Sequence, residues 1–131
     1  MSEPIWLDTS IVLDVHAEQL ALFGGADGVR DLGLLESALG RPLNKSAYGE
    51  TGLAALAAAY AFGVARNHPF VDGNKRTGFV IGVLFLELHG FDLTAREADA
   101  TQAVMALAAG TLNEDGYTAW LRENAKRKRV R

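Results

Sequence analysis

Cysteine is absent from the chain, which excludes a disulfide framework, a thiolate zinc site and a thiol nucleophile. The three histidines, at positions 16, 68 and 89, stand too far apart to form a His-rich zinc motif. Proline is scarce at three residues, and fourteen glycines are scattered without period, so no collagenous or low-complexity segment exists. No apolar run reaches the roughly 18–20 residues that span a bilayer. The amino terminus, Met-Ser-Glu-Pro-Ile-Trp, lacks a basic stretch followed by an apolar one, so no secretory leader is expected and the chain is assigned to the cytoplasm. Strict apolar–polar alternation and internal repeats are missing as well. What remains is 131 residues, 49% apolar and 22% charged, the composition of a globular protein with room for one domain over residues 1–131.

The charge is unevenly divided. The whole chain carries −3, yet five of its thirteen basic residues are Lys126, Arg127, Lys128, Arg129 and Arg131. Residues 1–125 therefore hold eight basic against sixteen acidic groups, a net −8. An acidic body is unsuited to general binding along a phosphate backbone. Direct nucleic-acid binding is not expected, and the basic tail at 126–131 is read as a solvated, frayed helix end.

Helical periodicity dominates the chain. Thr9 or Ser10 is placed to cap a helix running to Phe23, which Gly24-Gly25-Ala26-Asp27-Gly28 ends in a turn. Asp31 caps a short helix ending near Gly40, with Pro42 as its stop. Residues 43–50 have no helical period and read as an exposed loop or small hairpin. The Ala-rich run from Leu53 to Arg66 and the apolar run from Asn74 to His89 predict two core helices, the second closed by Gly90. Thr94-Ala95-Arg96-Glu97 has capping-box spacing and opens a helix to about Ala109. A last helix runs from about Asp115 into the basic tail. The fold class is all-α, a compact bundle of about six helices.

Chemistry concentrates between the two core helices, in Asn67-His68-Pro69-Phe70-Val71-Asp72-Gly73-Asn74-Lys75-Arg76-Thr77. Pro69 stops the first helix and holds His68 at its end. Phe70, apolar in a polar loop, is expected to anchor the loop to the core. Gly73 and Asn74 can present successive N–H groups as an anion nest opening into a helix amino terminus. Lys75 and Arg76 then place two cations in a first turn, where they oppose the helix dipole by about 0.3–1 kcal/mol each. A bound polyphosphate reverses that penalty. Asp72 is close enough to hold Mg²⁺ against phosphate oxygens, and His68 is the nearby group suited to general-base work at neutral pH. A merely structural turn would carry its acids and cations at the opposite helix ends.

His68-Pro69-Phe70-Val71-Asp72-Gly73-Asn74-Lys75-Arg76-Thr77 resembles the signature of the Fic/Doc superfamily, in particular its Doc toxin branch. The resemblance is specific over His68 to Gly78 and weaker from Leu13 to Leu121, and it implies a helical Fic/Doc-like domain with the motif between two central helices. AMP-transferring Fic enzymes carry a Gly where this chain has Lys75 and a second Arg where it has Phe79. Doc-type members share the Lys, which implies ATP bound in reversed orientation with its γ-phosphoryl group toward the acceptor. The activity so implied is a Mg-ATP-dependent protein kinase acting on a threonine of elongation factor Tu, as the toxin of a toxin–antitoxin pair that stops translation. His68 would take the acceptor proton, Asp72 would bind Mg²⁺, Gly73, Asn74, Lys75 and Arg76 would hold the phosphates, and Phe70 would anchor the loop. The implied partner is a Phd-type antitoxin laying a helical segment in a groove.

Competing readings are AMP or other nucleotidyl transfer to a protein hydroxyl, a non-catalytic toxin or regulator that binds ribosome or RNA through the basic tail, and a catalytically silent binding module. Elsewhere, His16 is read as a satisfied packing residue within its helix and His89 as a partner of a helix carboxyl end. Arg66, one turn before the loop, could reach the phosphates, but pairing with the acidic body is the favoured expectation. The 43–50 loop resembles the family's target-docking flap. Ser46 to Glu50 begins the family's inhibitory pattern, but Thr51 and Gly49 make the match fortuitous.

Overall fold

The computed structural model describes residues 3–129. Arg131 of the basic tail and Met1 and Ser2 of the amino-terminal stretch lie outside the described residues. Six helices and two short strands follow one another as α1 (Thr9–Phe23), α2 (Leu32–Ala47), α3 (Leu53–Asn67), α4 (Asn74–Leu88), β1 (Phe91–Leu93), α5 (Glu97–Ala109), α6 (Glu114–Asn124) and β2 (Ala125–Arg127). The all-α expectation holds, and among the described residues no helix is long and apolar enough to cross a membrane.

The Ala-rich helix α3 is the axis of the bundle and packs against α2, α4, α5 and α6. Small residues make these approaches close. A Cβ on Gly63 would lie 3.0 Å from the Ala38 backbone of α2, and one on Gly78 would lie 3.0 Å from the Ala61 carbonyl oxygen. Tyr60, Phe70, Phe85, Ile81, Leu107, Tyr117 and Leu121 fill the space that remains. The Tyr60 hydroxyl accepts the Leu7 N–H at 2.8 Å, tying the amino-terminal segment to α3. His89 also holds this segment. Its Nδ1 donates to the Phe85 carbonyl oxygen at 2.7 Å and its Nε2 accepts from the Ile5 N–H at 2.8 Å. It therefore binds a last-turn carbonyl, as expected of a residue at a helix end.

Several boundaries differ from expectation. The cap of α1 is Asp8, which accepts from Ile11 N–H and takes the Ser10 hydroxyl as a second donor, so Thr9 and Ser10 lie inside the helix. Helix α2 runs through Pro42 to Ala47, absorbing most of the segment expected as a loop. A mid-helix proline forfeits one backbone bond. Here Pro42 is buried along the same face as Leu35, Ala38 and Leu39, and Arg41 and Lys45 both grip Glu114 at the start of α6. Tertiary contacts hold the second half of the helix where local preference would end it.

Thr94 caps nothing. Its N–H and Oγ1 both bond to the Asn124 carbonyl oxygen, and α5 starts three residues later behind Arg96. The described part of the basic tail is not a frayed helix either. Ala125–Arg127 pair antiparallel with Phe91–Leu93, Asp92 facing Lys126 and Phe91 facing Arg127, whose guanidinium lies 5.1 Å from the Phe91 ring centre. An opposite-charge pair and a cation–π contact across three-residue strands leave no alternation long enough to read.

Candidate active site

The segment from His68 to Gly73 joins α3 to α4, and each of its residues is fixed by a different physical device. His68 is the carboxyl cap of α3 with φ 51° and ψ 53°, the one non-glycine residue at positive φ among those described. That left-handed conformation costs about 1–2 kcal/mol. It is held from across the molecule. The Arg30 guanidinium donates through Nε to the His68 carbonyl oxygen at 2.7 Å and through Nη2 to that of Asn67 at 3.0 Å. The backbone N–H groups of Arg30 and Asp31 both bond to the Pro69 carbonyl oxygen, at 2.7 and 3.0 Å, and the Val71 N–H bonds to the Gly28 carbonyl oxygen at 3.0 Å. Residues 24–31 thus lie antiparallel along the motif loop, with Val29 bridged to Phe70.

Phe70 is buried and stacks on His16, ring centres 3.8 Å apart and 7° from parallel. Asn74 closes the loop from within. Its side-chain Oδ1 accepts the Phe70 N–H at 2.9 Å and its Nδ2 donates to the Phe70 carbonyl oxygen at 3.0 Å. The Asn74 carboxamide is therefore committed to the loop on both its oxygen and its nitrogen, and its backbone N–H remains for an anion. At 3.5 Å, the contact from Asn74 Nδ2 to His68 Nδ1 is too long to fix the imidazole tautomer.

Asp72 is exposed, but its oxygens are not idle: Oδ2 accepts from Ala26 N–H at 3.2 Å and Oδ1 from Gly73 N–H at 2.9 Å. These two backbone donors, first Ala26 and then Gly73, hold its carboxyl below the usual carboxylate range, with smaller help from Arg76 and His16. The Gly73 N–H is thereby spent on the carboxylate, which narrows the expected nest. Gly73 itself has φ 76° and is the amino cap of α4 with no side-chain cap. The first helical bond runs from Thr77 N–H to the Gly73 carbonyl oxygen at 2.9 Å. The N–H groups of Asn74, Lys75 and Arg76 thus lie outside the helical ladder at the positive end of the dipole.

These residues line a recess of about 270 Å³ formed by His68, Val71, Asp72, Gly73, Asn74, Lys75 and Arg76. Among the described residues neither Lys75 nor Arg76 has an ion-pair partner. Arg76 lies over the Phe23 ring at 4.6 Å and touches the Gln19 carbonyl oxygen at 3.4 Å, so its charge stays beside the recess. Of the expected site residues, Phe70 alone does not line the recess; it sits beneath it in the core. Lys75 and Arg76 also border an apolar groove of about 610 Å³ between α1, α4 and α5, floored by Phe23, Phe79, Val80, Leu93, Ala100 and Val104.

A divalent ion would find one carboxylate here, and among the described residues no group of three or more His, Cys, Asp or Glu could hold a metal alone. Asp72 therefore fits Mg²⁺ only in the mode where phosphate oxygens and water complete the octahedron.

Three further residues bear on the site. His16 is a satisfied packing residue, as expected, but its partner is the motif: Nε2 donates to the Asp72 carbonyl oxygen at 2.8 Å. Arg30, and Gly25 with Ala26, support this loop from outside the motif. The one local sign of the latter was the glycine cluster after α1, where Gly25 has φ 124° and no room for a Cβ beside Asp72. Two expectations fail. Residues 43–50 border a separate cavity with Arg41, Phe62 and Glu114, and share no residue with the recess; the segment alongside the motif is 24–31. Arg66 forms no ion pair among the described residues and lies 5.7 Å from the Phe62 ring centre, against Gly110.

Two curated proteins are similar to this chain. "Toxin Doc" of Mycolicibacterium smegmatis is 45% identical over 85 residues, covering 63% of this chain and 65% of that protein. "Protein kinase doc" of Escherichia phage P1 is 36% identical over 80 residues, covering 60% of this chain and 64% of the relative. The matched region thus spans just under two thirds of either relative. A family model described as the Fic/DOC family matches residues 6–86, from before α1 to the last turn of α4 and including the whole recess; the chain belongs to the Fic/DOC family.

Proposed function

We propose that this chain is a Doc-type toxin kinase, a single Fic/Doc-like domain acting in the cytoplasm. It would move the γ-phosphoryl group of ATP to a threonine hydroxyl of elongation factor Tu and so arrest translation. The observation that carries this reading is the exposed His68 imidazole beside an uncapped helix amino terminus, with Asp72, Lys75 and Arg76 on the same recess. The names of the two relatives, a toxin and a protein kinase, agree with it.

The chemistry follows from these groups. The polyphosphate lies against the free N–H groups at the start of α4, with Lys75 and Arg76 balancing its charge. An acceptor hydroxyl reaches the γ-phosphorus as His68 takes its proton. The bond from phosphorus to the β–γ bridging oxygen breaks, the new bond to the threonine oxygen forms, and ADP leaves. Asp72 would hold Mg²⁺, which when bound supplies charge neutralisation between the phosphates. Such transfer is governed by positioning and electrostatics, so a small preorganised set suffices. Exposed Val71, which lines the recess with His68, and exposed Val29, bridged to Phe70, offer apolar footing to an acceptor segment. Phe79, half-buried in the neighbouring groove, supplies no second guanidinium for an AMP-transferring geometry. That groove suits the helical segment of a Phd-type antitoxin, whose apolar face would cover Phe23, Val80 and Val104.

The test is label transfer to purified elongation factor Tu with Mg²⁺, comparing γ-labelled with α-labelled ATP, with His68→Ala as control. Transfer of γ-label alone, lost in the variant, supports the kinase. Transfer of α-label replaces it with nucleotidyl transfer, and movement of neither label onto this acceptor refutes the assignment of elongation factor Tu. Coexpression with an antitoxin candidate, followed by Phe23→Asp or Val104→Asp, tests the groove: the complex should be lost.

A further inference from the structure

We propose that Arg30 is a positioning residue for His68, holding the imidazole over the recess by locking its backbone in the left-handed region. The inference rests on the reading of His68 as the proton acceptor. Nothing in the phosphate-binding set explains Arg30: it does not line the recess, and no carboxylate pairs with it among the described residues. Its guanidinium is instead committed to two consecutive carbonyl oxygens, His68 at 2.7 Å and Asn67 at 3.0 Å. A planar fork can reach both only when those carbonyls open to the same side. The φ of 51° and ψ of 53° at His68 arrange this at the end of α3.

The alternative conformation is well defined. A residue before proline is pushed away from the right-handed region toward extended backbone, so a released His68 swings to negative φ. That turns its Cα–Cβ bond and carries the ring off the recess. Asn74 cannot prevent this, because its 3.5 Å contact with the ring is at the limit of a hydrogen bond and its carboxamide is engaged by Phe70. The positive charge of Arg30 also lies at the negative end of the α3 dipole. The same two bonds therefore cap the helix and set the imidazole. The backbone N–H groups of Arg30 and Asp31, which hold Pro69, do not depend on the side chain, so truncating it leaves the 24–31 segment in place.

Arg30→Ala and Arg30→Lys in the full chain test this, each checked by circular dichroism. With elongation factor Tu and γ-labelled ATP, Arg30→Ala should lower kcat at least about tenfold, a part of the roughly 10²–10⁴-fold that a general base contributes, with KM for ATP unchanged. Arg30→Lys, which keeps the charge on one donor point, should recover part of the loss. The second readout needs no activity. The one-bond Cα–Hα coupling of His68, assigned by loss of its signal in His68→Ala, separates positive from negative φ by its size and should move from the positive-φ to the negative-φ range in Arg30→Ala. An unchanged coupling overturns the proposal, as does a rise in KM with kcat intact or an unaltered kcat in both variants. If Arg30→Ala does not fold, Arg30→Lys alone must show the lowered kcat and an averaged coupling, and wild-type values for both overturn the proposal. If the wild-type protein labels nothing, the phosphotransfer reading fails by itself and the coupling still decides the role of Arg30.

Discussion

His16 offers the most direct test of how the motif loop is held, because its two contacts can be removed separately. Its ring is 3% exposed, stacks on Phe70 at 3.8 Å and donates to the Asp72 carbonyl oxygen at 2.8 Å. Aromatic pairs contribute on the order of 0.5–1.5 kcal/mol beyond burial. The hydrogen bond adds a net contribution of about 0.5–1.5 kcal/mol. Burying the ring adds on the order of 1–2 kcal/mol. His16→Ala loses all three and should cost ~3 kcal/mol, lowering Tm by roughly 10 °C in a chain of this size. His16→Phe keeps the stack and the volume. The Asp72 carbonyl belongs to an exposed residue and can turn to water, so this variant should cost only ~1 kcal/mol, or roughly 3–5 °C. Thermal melts and urea titrations of the three proteins check these values. If His16→Phe proves as unstable as His16→Ala, the ring contributes only its hydrogen bond and the stack on Phe70 does not hold the loop. If His16→Ala is within ~0.5 kcal/mol of wild type, a typical surface effect, the loop is held without His16.

Two other consequences are measurable. Asp72 has its carboxyl pKa lowered by the Ala26 and Gly73 N–H groups; its stabilisation is therefore complete above the unfolded value of about 4 and fades as pH falls through the lower native value. The stability gap between wild type and Asp72→Asn should be constant from pH 5 to 8 and shrink below pH 4, and a gap independent of pH down to 3 would contradict the assignment. Gly24 and Gly25 form a matched pair: both have positive φ, 81° and 124°, but a Cβ on Gly24 meets nothing within 4 Å, whereas one on Gly25 lies 3.0 Å from Asp72 Oδ2 and from Leu20 Cδ2. Both Ala variants carry a backbone cost of about 1–3 kcal/mol, and Gly25→Ala should melt lower still and lose more phosphotransfer than Gly24→Ala; equal behaviour would show that the Ala26–Asp72 contact has no role in placing the carboxylate.

The contrast between what the sequence discloses and what it hides follows from the range of each interaction. Helices α3 and α4 were legible because their signals are contiguous: an Ala-rich run stopped by Pro69, and an apolar run bounded by Gly73 and Gly90. The chemistry was legible for the same reason, since His68, Asp72, Lys75 and Arg76 fall within nine residues. Where a local rule met a distant partner, the partner decided. Pro42 should end α2, yet Glu114 reaches back to Arg41 and Lys45 from the start of α6. Thr94 has capping-box spacing, but Asn124 takes its N–H and its hydroxyl before it can cap α5.

The same argument explains why the supports of the motif were hidden while the motif was plain. His16 reaches Asp72 across 56 positions, Ala26 reaches it across 46, and Arg30 reaches His68 across 38. None of these pairs leaves a spacing that periodicity could detect, and each member alone suits an ordinary helix or turn. Their convergence has an energetic reason. A non-glycine residue in the left-handed region, an uncapped helix start and two cations in a first turn are each unfavourable alone. A loop built from all three keeps its shape only if bonds from elsewhere over-determine it. The segment from α1 to α2 supplies those bonds: His16 from the helix, Gly28 and Ala26 from the turn, Arg30 and Asp31 from the entry to α2. The reactive groups and the restraints on them are thus separate in sequence, so substitutions at residues 16–31 can impair the site without touching any group that would meet a substrate.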